Sequence, residues 1–230
     1  EDFATIATVV ANASVATQTS ASSAGGDTPY QFRIIAMNSS GQSAPSTVLN
    51  VVTPPGDVEV LRTAEADATV YFTDQTTNFG AAGILTVGGL DPVDFDLSTS
   101  AKTYLRFNMD GLPSGMKSAQ LRLSHVANRF LAEAGYYYMA TFSLNNDASD
   151  AWNETTLTWA NAPQNDTADV GVLTPSSNLG YGYLPSFPAV GAQSSFTLTA
   201  TNLQASVGAN NLLTLVCLEE WETAQADWAS

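Results

Sequence analysis

The sequence predicts an all-β protein, and three observations carry that reading. Short apolar segments alternate with a period of two, and turns rich in Gly, Pro and Asn bound them. No stretch keeps a 3.6-residue period over the ~10–12 residues a helix needs. Many short strands divided by such turns pack as a sandwich or a barrel. In chain order, the strand-like segments include residues 69–72 (TVYF), 103–107 (TYLRF), 119–123 (AQLRL), 196–200 (FTLTA) and 212–218 (LLTLVCL). Turn signals separate them at Asn78-Phe79-Gly80, Gly88-Gly89, Asp110-Gly111-Leu112-Pro113-Ser114-Gly115 and Val207-Gly208-Ala209-Asn210. Residues 127–134 offer at most one or two helical turns.

One boundary stands out. Thr53-Pro54-Pro55-Gly56-Asp57 stiffens the chain with two prolines that cannot donate to a ladder, which divides the 230 residues near position 55. The longer part is large enough to bury its own core. Hydrophobic residues make up 44% of the chain, enough for a core, whereas charged residues make up only 13%. Seven Lys and Arg against 22 Asp and Glu give a net charge of −15. Such a surface repels phosphate backbones and anionic lipid, so no nucleic-acid partner is expected. No apolar run reaches the ~20 residues of a membrane helix, so no membrane insertion is expected.

Reactive chemistry is scarce. Cys217 is the only cysteine, which excludes an intrachain disulfide and a Cys-based metal site, and its apolar run marks it as a core thiol. His125 is the only histidine, so any Ser-His-Asp triad would need it; its strand context favours an inward or cross-strand role. Glu154 is the first candidate for a glycosidase carboxylate, and its neighbours Asn153 and Thr155 favour a turn-holding role instead. No catalytic residue is assigned and no enzyme is expected.

Within residues 1–54, Tyr30-Gln31-Phe32-Arg33-Ile34-Ile35-Ala36-Met37-Asn38-Ser39-Ser40-Gly41 followed by Gln42-Ser43-Ala44-Pro45-Ser46 resembles the penultimate strand, turn and last strand of a fibronectin type III domain. Gly41 would supply the positive φ that the hairpin requires. About four of that family's seven or so strands fit before residue 54, so the resemblance implies a partial domain.

Residues 55–230 resemble the DNRLRE-type family of secreted carbohydrate-binding β-sandwiches. The resemblance rests on Ala66-Asp67-Ala68-Thr69-Val70, Thr77-Asn78-Phe79-Gly80, Leu85-Thr86-Val87-Gly88, Lys102-Thr103-Tyr104-Leu105-Arg106-Phe107 and Ser118-Ala119-Gln120-Leu121-Arg122-Leu123. Its most telling stretch is the W-x-E-x-T-x-x-W-x-x-x-P series from Trp152 to Pro163. It implies a jelly-roll-type sandwich lacking its last strand, because the sequence stops at Trp228-Ala229-Ser230.

The resemblance directs attention to sugar-binding groups. A pyranose C–H face packs on an aromatic ring, which points to Tyr136-Tyr137-Tyr138 and to Tyr181 and Tyr183. Tyr136 and Tyr138 share one strand face and Tyr137 takes the other. Tyr137, Tyr181 and Tyr183 are the chosen ligand candidates, the last two set in a Pro-, Gly- and Ser-rich loop between Pro175 and Pro188. Trp152 and Trp159 are read as packing residues within the motif, and Trp221 and Trp228 as caps on the sandwich. Arg106 and Arg122 could grip a uronic acid's carboxylate, or pair with acids across a strand. Asp91, Asp94 and Asp96, with Glu65 and Asp67 on the first strand, are candidate ligands for a structural Ca2+. Four N-x-S/T sequons, at Asn12, Asn38, Asn153 and Asn165, are about as many as chance supplies.

The resulting expectation is a non-catalytic, secreted or cell-surface module that binds polysaccharide, as an accessory part of a larger polysaccharide-degrading or adhesive protein. The alternative is a subunit of an extracellular fibre or sheath, self-associating as neighbours donate strands to open β edges.

Overall fold

In the computed structural model, the alternating segments of the sequence become strands. It describes residues 29–38, 41–52, 57–89, 100–112, 115–130, 137–145, 147–169, 171–173, 176–184, 188–219 and 225–230. The chain forms two compact units, residues 1–60 and 61–230.

In the first unit β1 (Pro29–Phe32) pairs antiparallel with β4 (Leu49–Val52), and β2 (Met37–Asn38) with β3 (Gly41–Gln42). Tyr30 lies opposite Val51 and Phe32 opposite Leu49, while Gln31 Nε2 donates to Asn50 Oδ1 at 3.0 Å. Gly41 has φ +131°, the turn conformation its position demands. The resemblance to part of a fibronectin III domain also covers residues 1–28, 39–40 and 53–54, which lie outside the described residues.

The second unit contains β5 (Ala64–Tyr71), β6 (Ile84–Gly88), β7 (Ala101–Asn108), β8 (Ala119–Phe130), β9 (Tyr137–Leu144), β10 (Ser176–Leu184), β11 (Gln193–Leu198), α1 (Ala200–Ser206), β12 (Leu212–Glu219) and β13 (Gln225–Ala229). One layer runs β6-β13-β8-β11. The other runs β7-β12-β9-β10, with β5 also paired to β7. The layers meet at one pair, Gly88 opposite Ala101. Alternate distribution of strands between two antiparallel layers, with the last two strands inserted into the middle of each, is the jelly-roll order.

Between the layers, Leu85, Val87, Leu105, Leu121, Leu123, Met139, Leu179, Phe196, Leu213, Leu215, Cys217 and Trp228 form the main core. Phe196 packs edge-on to Trp228 at 5.8 Å, and His125 does the same at 5.4 Å. His125 therefore takes the inward, cross-strand place expected of it, opposite Trp228. Burial pushes the Cys217 thiol up to about 12, as suits an inert core thiol.

Three expectations change. Residues 127–130 continue β8 instead of turning into helix. The seven-residue α1 breaks the run at 196–200, and is too short to show a helical period. Trp228 is fully buried in β13 and caps nothing, and residues 225–229 pair on both sides, with β6 and with β8.

Candidate functional site

The outer face of the β5-β7-β12-β9-β10 layer is mostly covered. Trp152, Leu157, Trp159 and Ala162, from the irregular segment after β9, bury against Ala66, Ala68 and Val70 of β5, Tyr104 of β7, Ala140 and Leu144 of β9, and Val216 and Leu218 of β12. Trp152 Nε1 donates to Thr214 Oγ1 at 3.0 Å and Trp159 Nε1 to the Thr167 carbonyl at 3.2 Å, so each indole is satisfied where it is buried. Asn78 Nδ2 donates to the carbonyls of Glu154 (2.7 Å) and Leu157 (2.8 Å). A Cβ on Gly80 would fall on the Glu154 carbonyl, so this close approach requires glycine. The T-N-F-G and W-x-E-x-T-x-x-W motifs therefore clamp one another. Both tryptophans act in packing, as expected, and Glu154 contributes its backbone to a turn.

Two cations fasten this cover. Lys102 is completely buried, and its ammonium donates to Asn165 Oδ1 (2.7 Å) and to the carbonyls of Gly171 (2.7 Å), Asp169 (2.9 Å) and Asp166 (3.1 Å), 4.5 Å above the Trp159 ring. Burial pulls its pKa down to about 7, and the carboxylates of Asp166 and Asp169 pull back. Arg106 pairs with Glu65 at 2.8 Å, donates to the carbonyls of Asp150 and Trp152, and lies 5.1 Å from the Trp152 ring. Its contacts are those of the cross-strand alternative. Nothing in the sequence singled out Lys102, whose acceptors are mainly backbone carbonyls.

At the β9–β10 end of the same face the cover stops and tyrosines emerge. Tyr183 lies opposite Tyr138 and Tyr181 opposite Ala140, which puts the three rings on one face. Tyr138 is 5.5 Å from Tyr181 and 6.2 Å from Tyr183, between ring centres. Tyr181 and Tyr183 are 47% and 56% exposed. They stand on β10, not in a loop, which corrects the expectation for residues 175–188. The intervening glycines explain the error: a Cβ on Gly182 would enter the Phe196 ring, and one on Gly180 would press on the Thr197 carbonyl. β10 thus alternates glycine toward β11 and tyrosine outward, a period-two signal hidden in a loop-like composition.

The other candidates lie apart. Arg122 is exposed opposite Ser195 of β11, on the outer face of the other layer. Tyr137 pairs with Leu184 in the ladder, and its side chain lies outside the described residues. Tyr138, not chosen from the sequence, joins the two β10 rings. Asp91, Asp94, Asp96 and Trp221 also lie outside the described residues. Glu65 is engaged by Arg106, and Asp67 accepts Ser230 Oγ at 3.0 and 3.2 Å. Burial raises the Asp67 carboxyl above its ordinary range. Among the described residues no three acidic, His or Cys side chains gather as a metal site. Asn165, a sequon residue, is buried with both ends of its amide engaged, by Lys102 and by the Trp159 carbonyl.

Among the described residues no helix is long and apolar enough to cross a membrane. No curated protein matches the chain. The model of carbohydrate-binding module family 96 matches residues 58–206, from just before β5 to the end of α1 and well over half of the chain. Such modules are typically non-catalytic, bind polysaccharide and are often extracellular. By that match, which spans the jelly roll from β5 through α1, this chain belongs to carbohydrate-binding module family 96.

Proposed function

We propose that the second unit holds polysaccharide by stacking sugar rings on Tyr138, Tyr181 and Tyr183, and that it works outside the cell as an accessory part of a larger polysaccharide-degrading or adhesive protein. The observation that carries the site is the packing of Tyr138 against Tyr181 and Tyr183, the latter two exposed, on a face whose other end is covered by tryptophans. A tyrosine offers a broad apolar face and a hydroxyl, matching a sugar's C–H face and its ring of hydroxyls. Tyr181 and Tyr183, two residues apart on one strand, are spaced by about 7 Å. Held by the β9–β10 ladder, they need little ordering when a ligand arrives.

Affinity electrophoresis of the double variant Tyr181→Ala/Tyr183→Ala through gels containing polysaccharide tests the site. Loss of two stacking rings is expected to weaken binding by about 10-fold or more. Binding equal to that of the parent protein would remove the platform.

A further inference from the structure

The connection from β5 to β6 encloses an open cavity of about 410 Å3, on the size scale of small-molecule sites. Tyr71, Thr73, Asp74, Phe79, Ala82 and Ile84 line it. Tyr71 ends β5 in one layer and Ile84 opens β6 in the other, so the cavity lies at the seam between the layers. Within its layer β5 is separated from β10 by β7, β12 and β9, a span of four strand spacings, or about 19 Å. The cavity is therefore distinct from the tyrosine platform.

Its walls are held before any ligand arrives. Phe79 meets the Tyr71 ring edge-on at 4.7 Å between centres. The Tyr71 hydroxyl donates to Thr86 Oγ1 at 2.8 Å, and Thr86 donates to the buried Asp227 at 2.7 Å, so the tyrosine is pinned at its tip. Phe79 lies between Asn78 and Gly80, the two residues that grip the backbone of the tryptophan segment, and its carbonyl accepts the Ala82 amide at 3.0 Å.

The walls are chemically of two kinds. Tyr71, Phe79 and Ile84 offer half-buried apolar surface. Asp74 keeps its carboxylate ionised, because the Thr77 hydroxyl and the Thr77 amide, the latter at 3.0 Å, hold it below the ordinary carboxylate range. A carboxylate accepts about four hydrogen bonds, more than this turn supplies. A pyranose matches an apolar ring surface beside a charged acceptor, since it has C–H groups on its faces and hydroxyls around its rim. A purely apolar ligand would strip water from Asp74 and put nothing in its place.

We infer that this cavity is a second carbohydrate subsite, which holds one pyranose residue with its C–H face on Tyr71 and Phe79 and a hydroxyl on Asp74. It lies apart from the tyrosine platform and does not depend on it.

The test is an amide NMR titration of the full chain with the methyl pyranosides of glucose, galactose, mannose and xylose, each to about 100 mM. At least one is expected to shift the amides of residues 73–84, with a Kd on the order of 1–10 mM. Asp74→Asn retains an acceptor for the Thr77 amide but loses the charge, and is expected to weaken that response about 3-fold or more. Ala82→Trp fills the cavity from an exposed position and is expected to abolish it. Absence of any shift in residues 73–84, or shifts there that Ala82→Trp leaves at full size, would overturn the subsite. Shifts there that disappear in Tyr181→Ala/Tyr183→Ala would assign them to the platform and overturn it too. A response at Tyr138, Tyr181 and Tyr183 alone would overturn the subsite and leave the platform standing.

Discussion

The outer face of one layer carries two aromatic groups with opposite fates. Over β5, β7 and β12, Trp152 and Trp159 close a dry second core against Tyr104 and the β5 alanines. Over β9 and β10, Tyr181 and Tyr183 stand exposed beside the half-buried Tyr138. The strands beneath are of one kind; what differs is whether the segment after β9 lies on top. The comparison teaches that the tryptophan motif, the most telling stretch of the sequence, builds the cover, and that the candidate contact with ligand lies outside it.

The covered region is the one whose loss the fold would feel most. Trp159→Ala opens a large cavity and is expected to lower the unfolding free energy by about 3–5 kcal/mol in urea titration. A change below about 1 kcal/mol would mean the cover is detachable and the division between the two regions false. Lys102→Met keeps the aliphatic stem but leaves four oxygens without their ammonium. A loss of about 3 kcal/mol is expected, read the same way.

The same lysine gives a pH test with a definite sign. Burial draws Lys102 down to about 7 from its ordinary 10.5, so between those values the unfolded chain binds more protons than the folded one. Stability therefore rises as pH climbs from about 7 toward 10.5, and the Lys102→Met variant lacks that component. A flat profile in the parent protein would mean the oxygen cage holds the proton as firmly as water does.

At the border between the regions, Gly182→Ala drives a methyl group into the Phe196 ring, and a cost of about 2 kcal/mol is expected by thermal unfolding. A neutral outcome would show that β10 can lift from β11. The smallest stability effect belongs to the open region: Tyr181→Ala/Tyr183→Ala is expected to shift unfolding by less than about 1 kcal/mol while binding falls. A larger destabilisation would make these rings structural and collapse the contrast.

Much of this architecture was legible in the residues. The period-two segments at 103–107, 119–123 and 212–218 lie in strands, as do residues 69–71 of the segment 69–72, and the tryptophan motif packs as its context implied. Tyr181 and Tyr183 draw attention as aromatic rings, but Gly180 and Gly182 look like loop composition and suggest a loop in place of a strand. Only the Phe196 ring across the sandwich, nearer than any side chain allows, explains those glycines, and that is tertiary information. Lys102 was silent for a related reason. A charge between strand residues suggests a solvated face, and three of its four acceptors are backbone carbonyls, which no residue type announces.

The central seat of β13 sets a rule for dissecting the molecule. The family match ends at residue 206, yet β12 and β13 supply the middle of each layer and carry Trp228, Leu213 and Cys217 into the core. A fragment trimmed to the recognisable motif would leave two gaps where hydrogen-bonding strands belong. In the layer containing β6 and β8 the two strands are joined through residues 225–229, so pairing there requires the C-terminal strand.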